Sequence, residues 1–169
     1  MKAKYIWELQ IKGIVPDADV FRNILTNRGI DDPERFFSLG EANIYDPYLL
    51  KDMKKAAERV LKAVSAGEKI LVYGDYDCDG ISAISVLVRA LAKLGVSVDY
   101  DLPNRFQDGY GLNMKAVERI IASGYDLVIT VDNGITCIDE IRVLSQNKID
   151  VIVTDHHEPK DELPEAFAL

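Results

Sequence analysis

The run GDYDCDG, residues 74–80, carries three aspartates at alternating positions, Asp75, Asp77 and Asp79, and closes on Gly80. Carboxylates this close repel one another and stay ionised together only with a cation among them, so the spacing points first to metal binding. A second group stands far downstream, where the chain's only two histidines, His156 and His157, follow Asp155 in TDHHEP. Imidazole beside carboxylate suits a Mn2+-type site better than Ca2+ or Mg2+ alone. Between the two groups lies Asp132, in VDNG at the end of an apolar run, where a ligand is a better reading than a turn former. Arg105, in PNRFQDGYG, offers a guanidinium that matches phosphate geometry, and the glycines flanking Tyr110 let that loop approach a ligand closely.

Three other readings of the aspartate run compete with this one. Counted as a calcium loop from Asp75, the twelfth position should be a bidentate Glu but is Val86, and a strand precedes the loop where a helix belongs. An aspartyl-nucleophile phosphatase would use Asp75 or Asp77 and needs a lysine at a later strand end, where none stands. Simple capping of the following helix explains one aspartate of the three.

The elements that must position these residues follow from periodicity. From Glu68 onward, short apolar runs alternate with helical periods: KILVYG, VSVDYDL, DLVITVD and IDVIVTDH read as strands. Between them ISAISVLVRALAKLG, NMKAVERIIASG and TCIDEIRVLSQN read as helices, the first two ending at Gly95 and Gly124. Continuous apolar runs mark strands covered on both faces, and the alternation predicts an α/β fold, a parallel sheet with right-handed crossovers and helices on both faces. Every polar cluster then falls at a strand's carboxyl end, the edge where open parallel sheets bind ligands. The helix after Gly80 aims its N-terminal amides at the same edge.

Ahead of this domain, residues 1–67 read as a helical extension packed on it, with residues 68–169 as the strand–helix domain that carries the polar clusters. The extension contains DADVFRNILTNRG, stopped by Gly29, then DDPERFFSLG. A cleaner helix follows over DPYLLKDMKKAAERVLKAVSAG, with Asp46 as N-cap, Pro47 in the first turn and Gly67 at the stop. Leu49, Met53, Ala56, Ala57, Val60 and Val64 share its apolar face.

Composition narrows the class. With 48% apolar residues in 169, the chain can bury a real core. No stretch approaches a membrane span and the N-terminus lacks a signal-peptide core, so no membrane partner and a cytoplasmic location are expected. Cys78 and Cys137 have no CxxC spacing, which fits a reducing compartment and small packing roles; Tyr73 and Tyr76 read as strand-end packing. The net charge of −8 argues against a broad basic face for a polyanion, but part of it sits in the aspartate clusters, where bound metal would invert the local field.

YGDYDCDGISA, VDNGI and TDHHEP, in that order and at strand ends, resemble the first three motifs of the DHH phosphoesterase superfamily. LPNRFQDGYGLN and NRGIDDPERF…DPYLLKDMKKAAERV further resemble the RecJ-type exonucleases specific for single-stranded DNA. The resemblance implies a two-metal phosphodiesterase using Mn2+ or Mg2+, acting 5′→3′ on single-stranded DNA in repair and recombination, with a helicase and a single-strand-binding protein as partners. It implies that Asp77, with Asp75, holds one ion, that Asp79 and His156 hold the other, and that Asp132 bridges them. Asp155 would orient the histidines, and His157 and Arg105 would contact the scissile phosphate. A phosphodiesterase on short oligonucleotides or cyclic dinucleotides, or a metal- or DNA-binding module without turnover, stays open. The family pattern continues into a fourth-motif aspartate and a second domain, whereas this sequence stops at LPEAFAL. The expectation is a fragment with little activity alone.

Overall fold

The computed structural model describes residues 20–38, 40, 44–104 and 109–169. Four parallel strands, β1 (Ile70–Tyr73), β2 (Asp99–Asp101), β3 (Leu127–Val131) and β4 (Asp150–Thr154), form one sheet in the order β2-β1-β3-β4. The register runs Leu71 to Val128 and Val128 to Val151 across its centre. The helices in chain order are α1 (Val20–Asn27), α2 (Pro33–Phe37), α3 (Met53–Ala66), α4 (Cys78–Lys93), α5 (Met114–Ser123) and α6 (Ile138–Gln146).

Side-chain alternation along the strands divides the core into two layers. Leu71, Tyr73, Val128, Val151 and Val153 meet Ala116, Val117 and Ile120 of α5 and Ile141 and Leu144 of α6. Ile70, Val72, Leu127, Ile129, Val131 and Ile152 meet Ala63 of α3 and Ile84 of α4. The sheet therefore carries helices on both faces, as the continuous apolar runs predict. β2 is the exception: it is a short edge strand whose residues are exposed or half-buried, so its sequence never needed to be apolar throughout.

Some local expectations are corrected. Asp46 and Pro47 lead into a 3-10 turn, Pro47–Leu49, and not into the long helix: α3 begins only at Met53, after Asp52 in a left-handed conformation. The break leaves Leu49 and Leu50 exposed, while Ala56, Val60 and Val64 pack as the apolar face of α3 expected from the sequence, joined by Ala63. Gly67 closes α3 in the left-handed conformation, its N–H donating to the Ala63 and Val64 carbonyls. Cys78 is not a packing residue; it is exposed on the first turn of α4, whereas Cys137 is half-buried.

The chain forms two compact units, Met1–Asp46 and Pro47–Leu169, so α3 belongs with the sheet. In the first unit, Asp32 caps α2 by accepting from the Arg35 N–H, and Phe21 stacks on Phe37 with ring centres 5.4 Å apart. Among the described residues, no helix is long and apolar enough to cross a membrane.

Arg59 fastens α3 to the sheet. Its buried guanidinium pairs with Glu68 at 2.7 Å and with Asp150, the first residue of β4, at 2.6 Å. Burial opposes the charge, but Asp150 and Glu68 outweigh it and raise the pKa. Arg59→Met leaves two carboxylates without their cation. Both are partly exposed, so the expected loss is about 2 kcal/mol, below that of a fully buried pair, read as a lowered urea midpoint. An unchanged midpoint would show that the pair holds nothing.

Candidate metal centre

The loop after β1 folds back tightly on the start of α4. A Cβ on Gly80 would lie 2.4–2.7 Å from the backbone of Asp75, which explains why the aspartate run must close on glycine. Asp77 caps α4, its Oδ1 accepting from the Asp79 N–H at 3.0 Å and the Gly80 N–H at 3.1 Å. These bonds, chiefly that from Gly80, hold its carboxyl below the usual range against burial, and contact with Asp132 adds to them. Capping thus accounts for one oxygen of Asp77 and nothing of Asp75 or Asp79. Asp75 is fully buried, and neither of its carboxylate oxygens has a hydrogen-bond partner.

At the end of β3 the chain turns through Asp132, held at a left-handed φ of 62° while its N–H donates to the Thr154 carbonyl at 2.9 Å. Asn133, buried beside it, secures the turn by donating from Nδ2 to the carbonyls of Val131 at 2.9 Å and Tyr73 at 3.3 Å. The loop after β4 is organised by Asp155. Its Oδ1 accepts from the N–H groups of His156 at 2.8 Å and His157 at 3.1 Å and from His157 Nδ1 at 2.7 Å. Its Oδ2 accepts from the Ile135 N–H at 3.0 Å, tying the β3 and β4 loops together. Burial works against its ionisation, but these donors outweigh it and lower its pKa. The Asp155 bond in turn raises the pKa of His157.

These loops converge. One donor atom from each of Asp132, His156 and His157 lies within 4.8 Å of the others. His156 Nε2 donates to Asp132 Oδ1 at 3.1 Å, while the buried Asp132 Oδ2 has no partner. A cavity of about 370 Å³ opens here, lined by Asp79, Ala83, Asp132, Thr154, Asp155 and His156. Asp79 and Asp132 therefore share one edge of the sheet. Burial, and then the negative charge of Asp77, push the Asp132 carboxyl above its usual range. Two facing carboxylates pushed in opposite directions, with orphaned oxygens on Asp75 and Asp132, are what a divalent cation would relieve, and the carboxylate–imidazole donor set suits one.

Not every sequence-predicted residue enters this group. Asp75 lies in the interior behind the loop and does not line the cavity. Arg105 lies outside the described residues. Tyr110, which the sequence marks only by its flanking glycines, is part of the site: its hydroxyl lies against the His157 ring, 2.9 Å from Nε2 and 3.4 Å from Nδ1, and donates to the Asp132 carbonyl at 3.3 Å. The available signal was QDGYGL itself, because Gly109 and Gly111 both hold positive φ, 80° and 67°, and so aim the tyrosine between them.

A doubly wound α/β domain with acids and imidazoles gathered at its strand ends defines the class. Residues 69–169 match the model of the DHH family, N-terminal domain, and the chain belongs to the DHH family. All of it aligns at 40% identity with the single-stranded-DNA-specific exonuclease RecJ of Bacillus subtilis (strain 168), of which it spans 23%. RecJ of Thermus thermophilus is 47% identical over 65% of this chain and 16% of its own length. Among solved structures, exonuclease RecJ bound to manganese superposes on 70% of this chain and 30% of its own, with a TM-score of 0.66 and 42% identity. The structure of Thermus thermophilus RecJ in complex with Mn2+ covers 85% of this chain and 20% of its own, with a TM-score of 0.65 and 35% identity. The chain thus spans less than a quarter of these curated relatives.

Proposed function

We propose that this chain is the metal-binding part of an exonuclease that hydrolyses single-stranded DNA from the 5′ end, with manganese or magnesium as cofactor. The observation that carries the reading is the convergence of Asp132, His156 and His157, beside Asp79, on one cavity at the carboxyl edge of the sheet. Identity to RecJ across the whole chain supports the substrate, and the manganese-bound relatives support the metal. Asp77 and Asp75 would hold one ion and Asp79 and His156 the other, with Asp132 between them; the unpartnered oxygens of Asp75 and Asp132 favour that division. A pair of such ions supplies an activated water at neutral pH and neutralises charge on the reacting phosphate.

The chain's own residues do the rest. Asp155 fixes the histidine loop and takes His157 Nδ1, so Nε2 is the ring atom left for a phosphate oxygen. Arg105 would add a bidentate phosphate contact. Cytoplasmic DNA repair and recombination, with a helicase and a single-strand-binding protein, is the setting this activity implies.

The test is hydrolysis of labelled single-stranded oligonucleotides of graded length by the full-length protein, with Mn2+ and after its removal by chelation. Mononucleotides released from the 5′ end of long single strands, and lost on chelation, are expected. Turnover confined to dinucleotides or cyclic dinucleotides would replace this reading with the short-substrate one.

A further inference from the structure

β1 and β3 lie side by side in the sheet, with Tyr73 opposite Thr130, yet past their last residues the two strands part. The Gly74 N–H donates outward to the Asp101 carbonyl of β2 at 3.1 Å, and the Asp132 N–H donates outward to the Thr154 carbonyl of β4 at 2.9 Å. The loop with Asp75, Asp77 and Asp79 therefore faces the loop with Asp132 across a split in the sheet edge. Such a split is where an open parallel sheet receives its ligand. Here the facing groups are acids, and the charge of Asp77 bears directly on Asp132. Like charges drive the two loops apart.

Asn133 reaches across the split. Its Nδ2 carries two hydrogens and donates to the Val131 carbonyl at 2.9 Å, on its own strand, and to the Tyr73 carbonyl at 3.3 Å, the last of β1. The residue is 1% exposed, and Gly111 packs against it so closely that a Cβ there would lie 3.6 Å from Asn133 Cβ. Few side chains could take its place: Asp has no donor, Ser and Thr have one, and Gln sets its amide one carbon further out. Asn133 Oδ1, meanwhile, is buried with no partner among the described residues. An unsatisfied buried carbonyl offsets much of what two ordinary hydrogen bonds contribute. Core stability alone is thus a poor reason for an amide at this position.

We propose that Asn133 is a positioning residue that ties the β1 loop to the β3 loop, so that their carboxylates stand at metal-binding separation before a cation arrives. This rests on the metal reading of the site given above. A neutral amide makes the tie without adding a charge, whereas a lysine or arginine would compete with the cation. With the tie in place, the cation does not have to gather the acids against their mutual repulsion. Without it, that work is subtracted from the binding free energy.

The test is Asn133→Ala in the full-length protein, which keeps the Cβ beneath Gly111 and removes the amide. Stripping the donor from two carbonyls should lower the urea midpoint, as any structural role would, so the deciding measurements are made on folded protein. Hydrogen exchange read by mass spectrometry on the metal-free variant should be faster across residues 74–80 and 131–136 and unchanged over α5. Titration calorimetry should show Mn2+ bound about 10- to 100-fold more weakly, the range for lost supporting contacts at metal sites. Asn133→Ser, whose one hydroxyl cannot serve both carbonyls, should behave in the same way and guards against an alanine variant that does not fold.

Mn2+ affinity equal to the parent's in a folded variant rejects the tie and leaves the metal reading standing. Exchange that is unchanged in both loops, or faster throughout the domain, overturns it as well. Loss of folding in both variants also overturns it and makes Asn133 a prop of the core. If the parent itself binds no Mn2+, the metal reading falls and this inference falls with it.

Discussion

Asp132→Asn is expected to abolish metal binding at the centre and to lower single-strand hydrolysis by about a thousand-fold or more, with the fold intact. Asparagine is the substitution of choice because residue 132 sits at a φ of 62°, which asparagine adopts more readily than alanine. The buried carboxylate is the group shared by the β1 and β4 sides of the site: Asp77 lies against it, and His156 bonds it at 3.1 Å. A neutral amide cannot hold a cation there. Losing the several kcal/mol that paired metals contribute to phosphoryl chemistry, taken as about 4, corresponds to roughly a thousand-fold in rate.

Stability should move the other way. Burial and Asp77 raise the pKa of Asp132 in the folded state, so its carboxyl favours folding below the unfolded pKa, and that benefit is lost as pH rises through the folded value. Without metal at neutral pH, the ionised group works against the fold, and the variant should melt no lower than the parent. The parent alone should gain melting temperature on addition of Mn2+. A variant that keeps both that Mn2+-dependent gain and near-parental turnover would remove Asp132 from the centre.

Much of this architecture was legible in the residues because two periodicities carry it. ILVY, LVITV and VIVT are apolar at nearly every position, and the structure buries both faces of those strands. The placement of Asp79, Asp132 and His156 at one edge then follows from topology, since each lies just past a strand's carboxyl end in a parallel sheet. What could not be read is geometry that no local pattern encodes. Pro47 suits a first helical turn, yet it starts a 3-10 turn, and the α3 helix waits until residue 53. Nothing in GDYDCDG distinguishes the buried Asp75 from the exposed Asp79, because the distinction arises from the loop folding back on Gly80. Tyr110 was likewise hidden: its partner lies 47 residues away in sequence, and only the folded edge brings the two together.

Gly80→Ala is expected to cost about 2 kcal/mol of stability and about 100-fold in metal affinity, although helix propensity alone predicts the opposite sign. Gly80 lies within the first turn of α4, where alanine should gain about 1 kcal/mol over glycine. Against that gain, the added methyl would meet Asp75 O at 2.4 Å, N at 2.5 Å and C at 2.7 Å, all backbone atoms that no rotamer change can move aside. The loop must open or α4 must withdraw. Overpacking of this kind costs about 1–3 kcal/mol, and displacing the segment that carries Asp75, Asp77 and Asp79 adds the roughly 10- to 100-fold affinity loss typical of disturbed supporting contacts. Two other glycines separate this cause from a general glycine effect. At Gly74 the closest crowding comes from the Ile84 side chain, Cδ1 at 2.5 Å and Cγ1 at 2.6 Å, so Gly74→Ala should be relieved by Ile84→Ala, which removes both atoms. At Gly67, with φ 67° and open space around it, alanine should cost about 1 kcal/mol through the backbone alone and leave Mn2+ affinity unchanged. Urea unfolding and Mn2+ titration calorimetry on the three variants measure both quantities. Were Gly80→Ala to bind Mn2+ as tightly as Gly67→Ala, the tight turn against Asp75 could not be what presents the carboxylates to the metal.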